Sequence, residues 1–176
     1  MSNALDEVTK GLSQLHGRYI KFLTTPSEKV RTKLGFMNYC GFPSCIGCID
    51  GTQIAIRSPN VDEDAFVCRK HYHSINVQVI CNVDLIFTNA VFKWPGSVAD
   101  AAIWNQSVAK TILERDASGS VLIGDSGYPL RSYLMTPIMD PLTREEVKYQ
   151  KSILKTRCSI ERTIDVYHCA VYWYTV

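Results

Sequence analysis

Val121-Leu122-Ile123-Gly124-Asp125 is a short apolar run that ends in a single acid. A strand with one wet face alternates apolar and polar residues. A run with no polar position reads instead as a strand covered on both faces, the habit of parallel strands in α/β sheets. A second run has the same form: Cys45-Ile46-Gly47-Cys48-Ile49-Asp50-Gly51-Thr52 is apolar up to Asp50. An acid placed where a buried strand ends is held rigidly and can still face solvent or a ligand.

The sequence around these runs supplies the other elements. Ile46 to Arg57 reads as the first strand, and Ser74 to Asn82 alternates apolar and polar like a half-buried strand. Asn82-Val83-Asp84 is a tight turn into a third strand over Leu85 to Lys93, giving an antiparallel hairpin. Pro95-Gly96-Ser97 stops that strand, and Ser97 is the expected N-cap of one helix over residues 98–114. Leu134-Met135-Thr136 is a last short strand closed by Pro137. Thr143, with Glu146 three residues on, has the capping-box pattern that starts a long helix. Near the N-terminus, Leu5, Val8, Leu12, Leu15, Tyr19 and Phe22 make residues 4–22 an amphipathic helix. Pro26 breaks that pattern, and Ser27 with Glu28 starts a short second helix towards Phe36.

A three-strand meander followed by a helical crossover to a strand beside the first is a mixed α/β sheet flanked by helices. This is the layout of the ribonuclease H-like fold, in which the first and fourth strands are neighbours. Residues 1–40 are expected as an N-terminal helical segment and residues 41–176 as the α/β domain.

At 176 residues the chain is long enough for one domain with a substantial core. No apolar run approaches the roughly 20 residues that span a bilayer, and Met1 to Glu7 lacks the pattern of a secretory signal, so a cytosolic or nuclear location is the default. The net charge of +2 is too small to name a partner, which leaves local clustering to decide. Seven cysteines include Cys45-x-x-Cys48 with Cys40 nearby. No second pair completes a zinc set, so packing as small hydrophobes outweighs a thiol or zinc role.

Asp50, Asp125 and Glu161 form a candidate set for hard, oxygen-loving divalent cations. Neighbouring strands would put Asp50 beside Asp125, and two close carboxylates are stable mainly with a cation between them. Ile153, Ile160, Ile164 and Tyr167 define the expected buried stripe of the last helix. At about 100° per residue, Glu161 falls about 60° from Ile164, at the stripe's edge, and is expected to reach inward. Two Mg2+ or Mn2+ ions about 4 Å apart would activate a water and stabilise the leaving oxygen, which points to phosphodiester chemistry. Each acid alone has a plainer role, since Asp before Gly is commonly a turn residue and a helical Glu is commonly solvated.

Arg69, Lys70 and His73 precede a strand and are candidate phosphate contacts; a solvated loop is the simpler alternative. Lys148, Lys151, Lys155 and Arg162 recur at helical spacings and form a basic stripe that could follow a DNA backbone or be an exposed, salt-bridged face. Asp100, in the first turn of a helix, is a candidate auxiliary acid, its alternative role being to stabilise the helix dipole.

Five motifs, in order, resemble the DDE-type nuclease domain of the PIF/Harbinger transposases and the Harbinger transposase-derived nuclease family. They are Gly47-Cys48-Ile49-Asp50-Gly51-Thr52; Arg69-Lys70 with His73-Ser74-Ile75-Asn76-Val77-Gln78; Trp94-Pro95-Gly96-Ser97-Val98 with Asp100; Gly124-Asp125-Ser126-Gly127-Tyr128-Pro129-Leu130; and Arg157 with Ile160-Glu161-Arg162. The resemblance implies Asp50, Asp125 and Glu161 as a catalytic triad that binds Mg2+ or Mn2+ and cuts DNA. It also implies a nuclear location and a separate DNA-binding protein partner.

The chain departs from the family pattern at Gln53 and Ala99, where the family has His. It departs again at Ile164-Asp165, where a Phe-Gly-x-Leu-Lys-like helix is usual. A shortened C-terminal end and a missing N-terminal helix-turn-helix region are therefore expected. The competing function is a catalytically inactive, domesticated DNA- or protein-binding module with the same fold.

Overall fold

In the computed structural model, which describes residues 3–173, the run from Cys45 forms strand β1 (Cys45–Ala55) with one irregularity near its start. Its parallel pairing with β4 (Val121–Ile123) slips between Cys45 and Gly47. The bulge puts Cys45 and Cys48 into one core although they are three residues apart, and sends Ile46 and Ile49 into another. On its other side β1 pairs antiparallel with β2 (Ser74–Cys81), and β2 pairs antiparallel with β3 (Phe87–Pro95). β5 (Leu134–Met135) joins β4 in parallel, giving the order β3-β2-β1-β4-β5. This is an α/β, ribonuclease H-like mixed sheet flanked by helices, as the element order predicts.

Different helices cover the two faces. α2 (Pro26–Cys40) and α5 (Arg144–Trp173) pack Phe36, Cys40, Ile153 and Ile160 against Cys48, Val77, Val79 and Ile123. α3 (Asp100–Asn105) and α4 (Val108–Glu114) pack Trp104, Ala109 and Leu113 against Ile49, Ile80 and Leu122. The first core also holds the buried thiols of Cys40, Cys45, Cys48 and Cys81. Thr156 Oγ1 donates to Cys40 Sγ at 2.8 Å, and Cys48 Sγ donates to the carbonyl of Thr156 at 3.3 Å. α1 (Asn3–Tyr19) precedes this layered unit.

Several boundaries differ from expectation, most of them through a local hydrogen bond. Pro26 opens α2, because a first-turn residue needs no N–H donor. Thr25 caps it in a box with Glu28, and the helix continues to Cys40, ending at Gly41 with φ 71°. The single helix expected over 98–114 is two, since Ser107 accepts the N–H of Lys110 and starts a new helix. Ala99, not Ser97, is the N-cap of α3. The hairpin turn is longer than expected, because Asn82 Oδ1 accepts the N–H groups of Asp84 and Ile86, which delays β3 to Phe87. The Thr143–Glu146 box forms as expected.

One ion pair ties α2 to the loop after α4: Lys29 Nζ lies 2.9 Å from Asp116 Oδ2, with both side chains largely buried. Burial pushes the Asp116 carboxyl up, but Lys29 and the donors of Ser118 and Ser120 outweigh it and hold the group well below the usual range. Asp116→Asn is expected to cost roughly 2–3 kcal/mol at pH 7 in urea titrations. A depressed carboxylate contributes stability above its unfolded pKa and loses it as pH falls through the folded value. The gap between variant and wild type should therefore narrow in acid, and a pH-independent gap would contradict the assignment.

Candidate active site

Cys48 on β1 faces Ile123 on β4, and Asp50 and Asp125 each lie two residues further on. Adjacency of the two acids thus follows from the register. Asp50 is opposite Val79, which belongs to the α5-side core, so strand alternation turns Asp50 to that side. Asp50 Oδ1 accepts the N–H of Gly51, and Asp125 Oδ1 that of Gly127, each at 2.9 Å. Burial, with the charges of Asp125 and Asp100, pushes the Asp50 carboxyl up to about 6 against the opposing pull of Gly51 N–H and Arg157.

Asp100 approaches from the other face. A Cβ built on Gly51 would collide with the Asp100 carboxylate, so glycine here is what leaves that side chain its place against β1. Asn76 Nδ2 donates to Asp100 Oδ1 and to the carbonyl of Val98, both at 2.8 Å. Gln78 Nε2 donates to the carbonyl of Asp100 and to the hydroxyl of Tyr128, both at 3.0 Å. Burial, and then the charge of Asp125, raises the Asp100 carboxyl; Asn76 and Arg69 oppose this. Burial raises the Tyr128 phenol well above its usual value, and the charges of Asp100, Asp50 and Asp125 all add to the rise. All three acids therefore act on one buried hydroxyl.

Glu161 is placed differently. α5 buries Ile153, Thr156, Ser159, Ile160 and Thr163; of the expected stripe Ile164 is partly buried against the same core, while Tyr167 is exposed. Thr156 and Thr163 enter the core because their hydroxyls bond back to the carbonyls of Ser152 and Ser159. This rotates the expected face, and the Glu161 side chain is 50% exposed rather than reaching inward. Arg157 Nη2 lies 3.3 Å from Glu161 Oε1, and the charge of Arg157 also acts on Asp50. Arg157 Nε is buried without a hydrogen-bond partner. Among the described residues, no three His, Cys, Asp or Glu side chains converge as a metal-ligand set.

A cleft of about 500 Å3 opens on the α3 side, lined by Gly51, Gln53, Arg69, Lys70, Asn76 and Asp100 among others. Arg69 and Lys70 are thereby brought beside Asp100. His73 is not among the lining residues, and its Nε2 lies 2.9 Å from Glu63 Oε1. Gln53, one of the departures from the family pattern, accepts the Ser74 hydroxyl at 2.6 Å and donates to the carbonyl of Gly96 at 3.3 Å. Lys148, Lys151, Lys155 and Arg162 are exposed on α5, with Lys155 Nζ 5.2 Å from the Tyr39 ring centroid. Sequence reasoning gave no individual role to Asn76, Gln78, Tyr128 or Arg157. Polar residues at alternate positions of β2, a strand that is nearly all buried, are the signal that could have found the first two.

The acids on β1 and at the end of β4, in this strand order, define a DDE-type nuclease domain. The chain belongs to the family described as DDE superfamily endonuclease, whose profile matches residues 49–169. Within it the chain is of the Harbinger-derived group. It is 32% identical over 170 residues to mouse "Putative nuclease HARBI1", covering 96% of this chain and 49% of that protein. The human protein of that name is 32% identical over 164 residues, 93% of this chain and 47% of the relative. The Arabidopsis thaliana "Protein ALP1-like" is 27% identical over 157 residues, 80% and 39% respectively. The chain thus spans about half the length of the HARBI1 relatives it matches. No solved structure matches it.

Proposed function

We propose that this chain is a transposase-derived, divalent-metal-dependent DNA endonuclease domain that acts in the nucleus with a separate DNA-binding protein. The observation that carries the proposal is the register Cys48–Ile123, with Asp50 on β1 and Asp125 just past the end of β4 each two residues further on. The oxygen donors of Asp50 and Asp125, and of Glu161 once it leaves Arg157, suit Mg2+ or Mn2+. Such an ion, when bound, activates water and stabilises charge at a phosphate.

The chain's own residues supply the rest. Arg69 and Lys70 hold phosphate oxygens at the cleft, and Lys151, Lys155 and Arg162 follow the backbone along α5. The Tyr128 phenol stays protonated beside the acids. Asp100 is positioned by Asn76 and Gln78 as an auxiliary acid.

The test is nicking of supercoiled plasmid in Mg2+ or Mn2+. Asp125→Asn and Glu161→Gln are each expected to lower the rate by at least ~100-fold with unchanged far-UV circular dichroism. An Asp125→Asn protein that cuts at the wild-type rate would sink the proposal. A second reading, an inactive DNA- or protein-binding module, is favoured by one observation, the pairing of Glu161 with Arg157. It predicts salt-sensitive DNA or partner binding and no nicking with either ion.

A further inference from the structure

Asp50 and Glu161 share one cation, Arg157. Cys48 Sγ donates to the carbonyl of Thr156 at 3.3 Å, which fastens α5 beside β1 two residues before Asp50. Arg157 is the next residue of the helix, and its charge acts on Asp50. Glu161 stands one turn further on, with Oε1 3.3 Å from Arg157 Nη2. The Arg157 side chain is 19% exposed and that of Glu161 50%, so the guanidinium is the inner partner and the acid meets it from the solvent side. Charge-assisted pairs normally close to about 2.7–2.9 Å. Here the contact is long, and Arg157 Nε is buried with no acceptor. The cation is thus held firmly but satisfied poorly.

Burying a charge with an unmet donor costs free energy. A lysine could escape that cost by losing its proton, but an arginine stays charged. At this position the permanent charge offsets a raised carboxylate, Asp50, in the absence of metal. The same charge repels any divalent ion that approaches Asp50 and Asp125. Of the two partners of Arg157, the half-exposed Glu161 is bound more loosely than a closed ion pair would be and can turn about its own side-chain bonds. The helix need not move with it, because Ile153, Thr156 and Ile160 fix α5 in the core.

We propose that Arg157 is a positioning residue that stands in for the metal: it keeps Glu161 as its own partner in the metal-free chain and yields it when a divalent ion occupies Asp50 and Asp125. This rests on the metal-dependent reading of the site. The test is Mn2+ binding to the full chain, followed by loss of the free-ion electron paramagnetic resonance signal. Arg157→Met should bind Mn2+ about 10-fold more tightly than wild type, because Glu161 no longer has to be released. Arg157→Lys, which keeps the charge, should restore an affinity near that of wild type. Adding Glu161→Gln to Arg157→Met should abolish the gain. A gain that survives Glu161→Gln would overturn the proposal, since Arg157 would then act by repulsion alone. Affinity and melting temperature falling together in Arg157→Met would mark a merely structural arginine and overturn it too. Wild type that binds Mn2+, with no gain in Arg157→Met, would overturn the proposal and leave the metal site standing. Absence of binding in both at ~5 mM would sink the metal site, and the proposal with it.

Discussion

Asp50→Asn is expected to abolish cleavage and, at pH 7.5 without divalent metal, to raise the melting temperature. The two effects share one cause. Asp50 is half-buried among Asp125 and Asp100, and its carboxyl is raised from 3.8 to about 6. Folding at neutral pH therefore works against a charge that prefers water or a proton. At about 1.4 kcal/mol per pKa unit, the strain is on the order of 2–3 kcal/mol, and a neutral amide removes it. The sign follows from proton linkage. A carboxyl whose folded pKa is raised favours the fold below its unfolded pKa and loses that contribution as pH rises through about 6. The advantage of Asp50→Asn should therefore be full at pH 7.5 and gone near pH 4. Added Mg2+ should reverse the ranking, because wild type gains a counter-charge that the amide cannot use. Thermal melts at pH 4.5 and 7.5, with and without Mg2+, check this. An Asp50→Asn protein less stable than wild type at pH 7.5 without metal would show that the charge cluster is not strained.

The largest loss of stability is expected at Trp104. The residue is fully buried in the α3-side core, one helical turn after Asp100, with its ring 6.5 Å from that of Tyr133. Trp104→Ala empties the centre of that core and should cost about 3–5 kcal/mol. The indole Nε1 is buried without a hydrogen-bond partner, a standing penalty that Phe would not carry. Trp104→Phe is therefore expected to cost about 1 kcal/mol or less despite its smaller ring. Urea titrations of the pair separate packing from polarity. Equal losses in the two variants would mean that the indole nitrogen is satisfied in solution. Because α3 carries Asp100, Trp104→Ala should also slow any cleavage out of proportion to the remaining folded fraction.

The sheet was legible because its strands differ in kind. Val121–Ile123 has no polar residue and is buried on both faces; Ser74–Cys81 alternates; and a turn residue separates it from the next strand. Those differences gave the element order; the neighbouring positions of Asp50 and Asp125 followed only once that order was matched to the ribonuclease H-like topology, and the register bears them out. Glu161 was harder to place, because a helix's orientation depends on which residues tolerate burial. Thr156 and Thr163 look polar in a sequence, yet each satisfies its hydroxyl on the preceding turn and enters the core. The break between α3 and α4 was hidden for a related reason. Ser107 reads as an ordinary helical position until its side chain is seen to accept a backbone N–H. The roles of Arg157 and Gln78 depend on partners far away in the chain, which no local pattern reports.

In the sequence, Asp50-Gly51 looks like a turn; in the fold, Gly51 is a window. Asp50 and Asp100 stand on opposite faces of β1, separated there by the thickness of one backbone, because position 51 has no side chain to fill the gap. The sheet is thus electrically thin at this one point. Charge placed in the cleft beside Arg69 and Lys70, on the α3 face, is felt through Asp100 by a carboxylate that faces α5. A charge on one side of the strand adds, through Asp100, to the field on the other without touching it.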